Sequence, residues 1–417
     1  MQKNILIIGG GIIGLCSAYY LRKEGHQVTV IEQSDFSQGA SFVNAGYITP
    51  SHIIPLAAPG MISKGIKWMF NSASPFYMKP RWDLDFFRWS WYFHKSSTKE
   101  KVARAVPVIK DINILSRTLY KDMLDSGDLG NFHWEQKGLL MLYKTDHAAE
   151  EELKVAEWAK KEGLDVSHLD LSELIALEPK VNISAKGAIY YKCDAHSTPT
   201  EIMPKLISWL KASGVVIKTN EFVQQLSSDG IKITQVQTNK AAYKVDQLVV
   251  AAGSWSQELA KKMNLNLPIQ AGKGYRIDIH RPTDIKIPAI LIEAKVAMTP
   301  MNGFTRFAGT MEFSGINSTI KQQRVEAISN AAKAYYPEVE IREEEKQNAQ
   351  SGLRPVSPDG LPYIGKSEKY TNVTFATGHA MMGWSLGPAT GKLVSEIISE
   401  QKLSMDISAF HPDRKFV

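Results

Sequence analysis

Asn4-Ile5-Leu6-Ile7-Ile8-Gly9-Gly10-Gly11-Ile12-Ile13-Gly14 decides how this chain begins to fold. An apolar run of strand length meets a cluster of glycines. Leu15, Ala18, Tyr19 and Leu21 then fall at helical spacing, and Gly25 ends that run. Gln27-Val28-Thr29-Val30-Ile31 reads as a second strand, closed by Glu32. A strand, a glycine turn, a helix and a second strand in this order are the context in which Gly-x-Gly-x-x-Gly binds a dinucleotide. Gly9 permits the tight turn, Gly11 lets a pyrophosphate approach the backbone, and Gly14 lets helix and strand pack closely. The helix start at Ile12 and Ile13 offers free N–H groups and the positive end of its dipole. Glu32, followed by Gln33, can accept hydrogen bonds from ribose hydroxyls and would repel a 2′-phosphate. FAD and NAD both bind such a unit, so the rest of the chain has to decide between them.

Working outward, the chain has 417 residues, which at roughly 150 per domain means two to three domains. Its net charge of +6 is mild and spread along the sequence. That suits an anionic small ligand and lacks the basic runs that nucleic-acid binding requires. Cys16 and Cys193 stand far apart, which excludes a disulfide framework and a cysteine-based metal site; no metal is expected. This cysteine usage fits a reducing compartment, the cytoplasm. Asn4 to Leu21 is uncharged, but its four glycines and short length argue against a signal or membrane anchor.

Gln38 to Ile48 is a loop of small residues suited to wrapping a cofactor. Residues 60–97 are rich in aromatics interleaved with Lys and Arg. They fit either a membrane-interface segment or a helix packed on the core; the core is the commoner reading. Strands are predicted at 137–143, 187–191, 215–217 and 243–250, the last ending in Ala251-Ala252-Gly253-Ser254-Trp255. Helices are predicted over 146–162, 199–212 and 321–335. Segments 272–280 and 304–311 read as strands of a second sheet, with the alternation at 306–311 fitting a sheet covered on one face. A turn-rich stretch, Ser351 to Gly365, precedes a strand at 373–376, a glycine-rich loop from Thr377 to Pro388 and a final helix at 389–401.

The Gly9–Glu32 unit, Gly39-Ala40-Ser41 with Asn44-Ala45-Gly46, Val249 to Ser256, Gly272-Lys273-Gly274-Tyr275-Arg276, Gly352-Leu353-Arg354-Pro355 with Pro358-Asp359-Gly360, and Gly378-His379 with Gly383-Trp384 occur in an order that covers nearly the whole chain. Together they resemble the D-amino acid oxidase-like superfamily of FAD enzymes and, within it, the bacterial D-amino acid dehydrogenases. The resemblance implies an α/β fold: a Rossmann-like FAD-binding domain and a discontinuous substrate domain of mixed or antiparallel sheet with helices. The expected FAD domain takes residues 1–50, 150–268 and 345–417, and the substrate domain 51–149 and 269–344. It further implies non-covalent FAD, touched by Ala40, Ser41, Asn44, Ala45, Gly46, Val223, Ala252, Gly253, Gly378, Met382, Gly383, Trp384 and Ser385.

The implied reaction is oxidative deamination of a D-amino acid by hydride transfer from the alpha carbon to flavin N5. The imino acid then hydrolyses to a 2-oxo acid and ammonia, and a quinone, O₂ or another acceptor takes the electrons. Arg354 matches the arginine that holds the substrate carboxylate in related glycine oxidases, and its planar fork suits that task. Tyr275 could donate to the same carboxylate or belong to the core. His52 could line the site or help deprotonate the amine, and Met381 stands where glycine oxidases carry a second arginine. The alternatives are an enzyme for glycine, sarcosine or a D-proline or D-hydroxyproline, or a non-catalytic FAD-holding subunit of an electron-transfer complex. A reductase using NAD(P) would need a second Gly-x-Gly-x-x-Gly, which the sequence lacks. The aromatic stretch also admits a peripheral place on the inner face of the cytoplasmic membrane.

Overall fold

The computed structural model describes residues 1–36, 39–60, 76–79 and 81–416. Gln38 and the part of the aromatic segment at 61–75, including Trp68 and Phe70, lie outside the described residues. The N-terminal apolar run forms the strand Asn4–Ile8, buried on both faces after its first residue, at the middle of a six-stranded sheet. The strand order is Val216–Lys218, Gln27–Ile31, Asn4–Ile8, Gln247–Val250, Val373–Thr377 and Tyr363–Lys366. The first five run parallel and the last antiparallel. Parallel strands need cover on both faces, which explains their unbroken Ile/Val/Leu content.

Helix Ile12–Lys23 covers one face and packs against the last long helix, Gly387–Ser399. That contact is backbone-close. A Cβ at Gly391 would lie 2.5 Å from the carbonyl carbon of Cys16, and one at Gly387 would lie 2.8 Å from Ile12.

The second sheet has nine strands. Its path runs Gln350–Val356, Gln270–Ile279, Phe304–Phe313, Val296–Met301, Ala289–Leu291, Leu139–Tyr143, Gly187–Tyr191 and Val166–Asp170, with Phe76–Met78 paired to Phe304–Phe313. Three of these strands depart from the expected division of the chain. Val166–Asp170 and Gly187–Tyr191 extend the second sheet beside Leu139–Tyr143, and Gln350–Val356 pairs with Gln270–Ile279. Pairing partners are set by contacts distant in sequence, which local pattern cannot reveal. The strand Phe304–Phe313 is also buried on both faces past its first residue, not on one. Helix Gln322–Tyr335 packs on one side through Val325 and Ile328, and the other side forms a cavity wall.

The described part of the aromatic segment does two things. In helix Leu84–Ser96, Phe86, Trp89 and Phe93 are buried, and the Trp89 indole N–H donates to the Val356 carbonyl at 2.8 Å. Trp82, Leu84, Phe87 and Trp91 are exposed, Trp82 at 98%. No helix among the described residues is long and apolar enough to cross a membrane.

Gly391→Val should lower thermal stability by the equivalent of about 1–3 kcal/mol, the usual range for overpacking, because the Cys16 backbone cannot yield. A melting curve of the purified protein checks this. An unchanged midpoint would mean that the two helices separate without cost.

Candidate active site

A cavity of about 1540 Å³ lies between the two sheets, at the carboxyl ends of the parallel strands, where Ile8, Ile31, Ala251 and Thr377 reach its wall. Open α/β sheets bind ligands there. Single small-molecule sites usually span about 300–1,000 Å³, so this one has room for a dinucleotide and a substrate together.

At the nucleotide end the glycines do what their spacing predicts. Gly9 adopts φ +111°, and a Cβ there would stand 2.4 Å from the Ala251 carbonyl oxygen. A Cβ at Gly14 would stand 1.9 Å from the Gly9 carbonyl oxygen. A Cβ at Gly11 would meet only Ser41 Oγ, at 3.4 Å, so the turn leaves room for a phosphate at the cavity side. Gly11 caps the helix without a side chain, and no acidic residue sits in the first turn to repel an anion. The Glu32 carboxylate accepts from the Gly10 N–H at 2.7 Å and from the Ser34 N–H and hydroxyl, both at 2.8 Å. It is thereby aimed along the cavity wall, with a lone pair of Oε2 still available to a ribose hydroxyl. Gln33, Val223, Ala252 and Gly253 line the same end.

The cofactor loop continues the wall. Ala40, Ser41, Asn44 and Ala45 line the cavity, and Ser41 Oγ accepts the Ile12 N–H at 2.9 Å. Gly46, by contrast, does not line it. Its φ of +75° and the 2.1 Å from its would-be Cβ to the Ser197 carbonyl oxygen make it a packing glycine. Gly14 and Gly378 are also outside the lining; a Cβ at Gly378 would run into the Tyr363 ring at 2.7 Å.

Arg306 is a residue that local sequence did not assign. It is fully buried, grips Asp278 through Nε at 2.8 Å and Nη2 at 3.0 Å, and donates Nη1 to the carbonyls of Phe42 and Asn44 at 3.0 and 2.6 Å. It ties the cofactor loop to the second sheet.

At the opposite end Met382, Gly383, Trp384 and Ser385 line the cavity. Ser385 Oγ accepts from the Thr49 N–H at 3.0 Å and donates to Asn113 Oδ1 at 2.6 Å. Trp384 is anchored by its indole N–H on Ser197 Oγ at 2.9 Å. His379 is buried, with Nε2 2.9 Å from Thr390 Oγ1, and burial pushes its imidazole down to about 3.

Arg354 reaches this region from the strand Gln350–Val356. Its guanidinium lies flat on Gly274, where any Cβ would fall within 2.4 Å of the guanidinium carbon. Nη1 donates to the Thr310 carbonyl at 2.7 Å. No carboxylate pairs with Arg354 among the described residues, and burial alone pushes it down to about 10. Thr310 holds a left-handed φ of +67°, at a bulge between Lys273 and Tyr275 on the paired strand. A β-branched residue there costs about 1–3 kcal/mol, and the bulge turns the Thr310 carbonyl onto Arg354. Neither Thr310 nor Gly274 was a predicted site residue. Gly274 carries a signal, as a lone small residue in a strand; Thr310 carries none.

The other expected substrate residues reach the cavity with altered roles. The Tyr275 hydroxyl donates to Glu312 at 2.9 Å, so its proton is already engaged. Glu312 in turn faces Lys273, Lys321 and Arg324 at 3.5, 3.4 and 3.0 Å. His52 lines the cavity, and burial pushes its imidazole down to about 4. Met381 lines the cavity mouth, 46% exposed.

A parallel nucleotide sheet and a largely antiparallel sheet sharing one long cavity define a dinucleotide-dependent oxidoreductase. The chain belongs to the FAD dependent oxidoreductase family, whose model matches residues 4–397. It is 30% identical over 403 residues to a D-amino acid dehydrogenase of Vibrio atlanticus, covering 95% of this chain and 96% of the relative. It is 29% identical over 399 residues to one of Helicobacter pylori, covering 95% of each. Among solved structures, a glycine oxidase from Geobacillus kaustophilus superposes with TM-score 0.78 at 19% identity, covering 99% of this chain and 100% of that one. An L-proline dehydrogenase from P. horikoshii gives 0.75 at 20% identity, covering 99% and 97%. The protein is thus an FAD-dependent amino acid dehydrogenase or oxidase acting on CH–NH2 groups. The open Gly11 turn, the uncapped helix start and Glu32 fit the pyrophosphate and ribose of FAD.

Glu32→Ala should weaken FAD retention and free the Gly10 N–H. Flavin content after gel filtration reports it, and full occupancy would remove Glu32 from the ribose site. Acid should also destabilise the fold. His52, His196 and His379 are held at about 4, 3 and 3, against about 6.5 in the unfolded chain. The unfolded state therefore binds more protons as pH falls below about 6.5, and each histidine withdraws up to about 1.4 kcal/mol per pH unit. Asp194, raised to about 7 by burial, works in the opposite sense and offsets one of the three. Melting temperature should fall steadily from about pH 6.5 toward 4, and His379→Asn should flatten that slope.

Proposed function

We propose that this protein oxidises a D-amino acid to the imino acid, which water converts to a 2-oxo acid and ammonia. The observation that carries this reading is Arg354, a half-buried guanidinium in the cavity wall with no carboxylate partner among the described residues. A charge left without a counter-ion in a low-dielectric site is costly unless a ligand supplies one. A free amino acid brings that carboxylate, and the fork fixes both its distance and its tilt. The relatives named D-amino acid dehydrogenase support the choice of substrate.

Bound FAD supplies the two-electron oxidant. The chain's residues supply position and exclusion of water. Gly274 gives the guanidinium a flat seat, the Thr310 carbonyl sets its rotation, and Glu312 holds Tyr275 beside it. His52 stays neutral and leaves the amine proton to water. Met381, in place of a second charge, leaves an apolar side at the mouth for the substrate side chain.

We read the electron acceptor as a quinone or another carrier. Trp82, Leu84, Phe87 and Trp91, with the exposed Arg88 and Lys95 on the same helix, form the face that would meet a lipid surface, giving a cytoplasmic protein peripheral to the membrane. We put the start of the central FAD segment near residue 192 rather than at 150, a reading supported by the membership of Val166–Asp170 and Gly187–Tyr191 in the second sheet.

Arg354→Ala should lower kcat/KM by about 30- to several thousand-fold, the equivalent of roughly 2–5 kcal/mol for a lost buried charge pair. Flavin content should stay normal, and Arg354→Lys should recover only part of the activity. Anaerobic bleaching of the flavin by D- but not L-amino acids supports the substrate class. Bleaching by L-forms alone, or an unchanged kcat/KM in Arg354→Ala, overturns it.

A further inference from the structure

Behind the cofactor loop, three short strands form a separate sheet in the order Tyr47–Ile48, Ala195–Ser197 and Trp134–Glu135. It gathers His133, Glu135 and His196, whose candidate ligand atoms all lie within 4.8 Å of one another. None of the three lines the FAD cavity.

His196 is 0% exposed, and neither ring nitrogen has a hydrogen-bond partner of standard geometry among the described residues, although the Pro300 carbonyl lies beside the ring. A buried imidazole left this way costs about 1–3 kcal/mol unless something else binds it. Its Nε2 points to Glu135 Oε2 at 3.6 Å. The neighbouring ring is held from behind: His133 Nδ1 lies 2.8 Å from Thr198 Oγ1, which also accepts the Asn302 N–H at 2.9 Å. That bond leaves Nε2 of His133 as the atom free to ligate, the usual outer support of a metal-binding histidine. The two rings stand 5.4 Å apart at 70°.

We propose that His133, Glu135 and His196 bind one divalent transition-metal ion of zinc-like character. Two imidazoles and one carboxylate suit zinc and its neighbours, whereas magnesium and calcium prefer all-oxygen shells. Lys137 Nζ occupies Glu135 Oε2 at 2.7 Å, but its side chain is 43% exposed and can swing into water when an ion arrives. The bound ion would tie Trp134–Glu135 to Ala195–Ser197. Ser197 in turn holds the Trp384 indole and packs against Gly46, so the ion braces the back wall of the flavin end.

The test uses FAD-loaded enzyme stripped with a chelator. Zn²⁺ is titrated against a chromogenic chelator, and Co²⁺ is followed by its absorption beyond the flavin bands. The expected result is one ion per chain, at least about tenfold weaker binding in His133→Ala, and tighter binding in Lys137→Ala. His133 is partly exposed, so its variant should keep its flavin; His196→Gln is the second variant. Failure of the wild type to bind either ion, or unchanged affinity in His133→Ala, overturns the proposal. Loss of binding in His411→Ala instead would assign the ion to the cluster of Glu368, His411 and Asp413 and overturn it equally.

Discussion

No side chain fits between Gly9 and the Ala251 carbonyl, or between Gly14 and the Gly9 carbonyl. These two backbone contacts set how closely helix Ile12–Lys23 approaches the parallel sheet and where its amide end points. Everything at the nucleotide end follows. The strand Asn4–Ile8 delivers the turn, the turn leaves Gly11 open, and Glu32 is held against Gly10 N–H at the end of the next strand. A methyl group at either position would lift the helix and misdirect its dipole. The same demand recurs where the last helix crosses the first, at Gly387 and Gly391.

The second organising interaction is charged. Arg306 reaches from the antiparallel sheet to two carbonyls of the cofactor loop and is neutralised by Asp278. A buried ion pair of this kind adds little net stability. Its value is geometric, because it fixes the loop that carries Ala40 to Ala45 relative to the sheet that carries Arg354. The two arginines differ in pairing: Arg306 has its own carboxylate in Asp278, while Arg354 has none among the described residues.

How much of this was legible depends on distance along the chain. The Gly9–Glu32 unit is local, so its glycines, helix and terminal acid read directly from spacing. Arg354 was singled out only through the resemblance that the motif around it carries, not through local pattern. The partners of Arg306 lie 264 and 262 residues away, and the pairing of Val166–Asp170 and Gly187–Tyr191 with the second sheet is equally non-local. Thr310 is the instructive miss. A β-branched residue disfavours a left-handed backbone, so its conformation is imposed by the surrounding strands against its own preference. Tyr275 and His52 both line the cavity, but neither the hydrogen bond from Tyr275 to Glu312 nor the effect of burial on the His52 imidazole is written in local sequence.

The strand Gln350–Val356 is the edge of the antiparallel sheet, yet its last residue, Val356, bridges to His379 in the flavin loop of the other half. Mechanically, this strand is a stitch between the two lobes. They cannot swing apart like a clam shell without tearing the segment that carries Arg354. Traffic of substrate and product is therefore left to side chains at the rim, of which the half-exposed Met381 is one. Entry and exit in such a molecule call for small local adjustments rather than a breathing of whole domains.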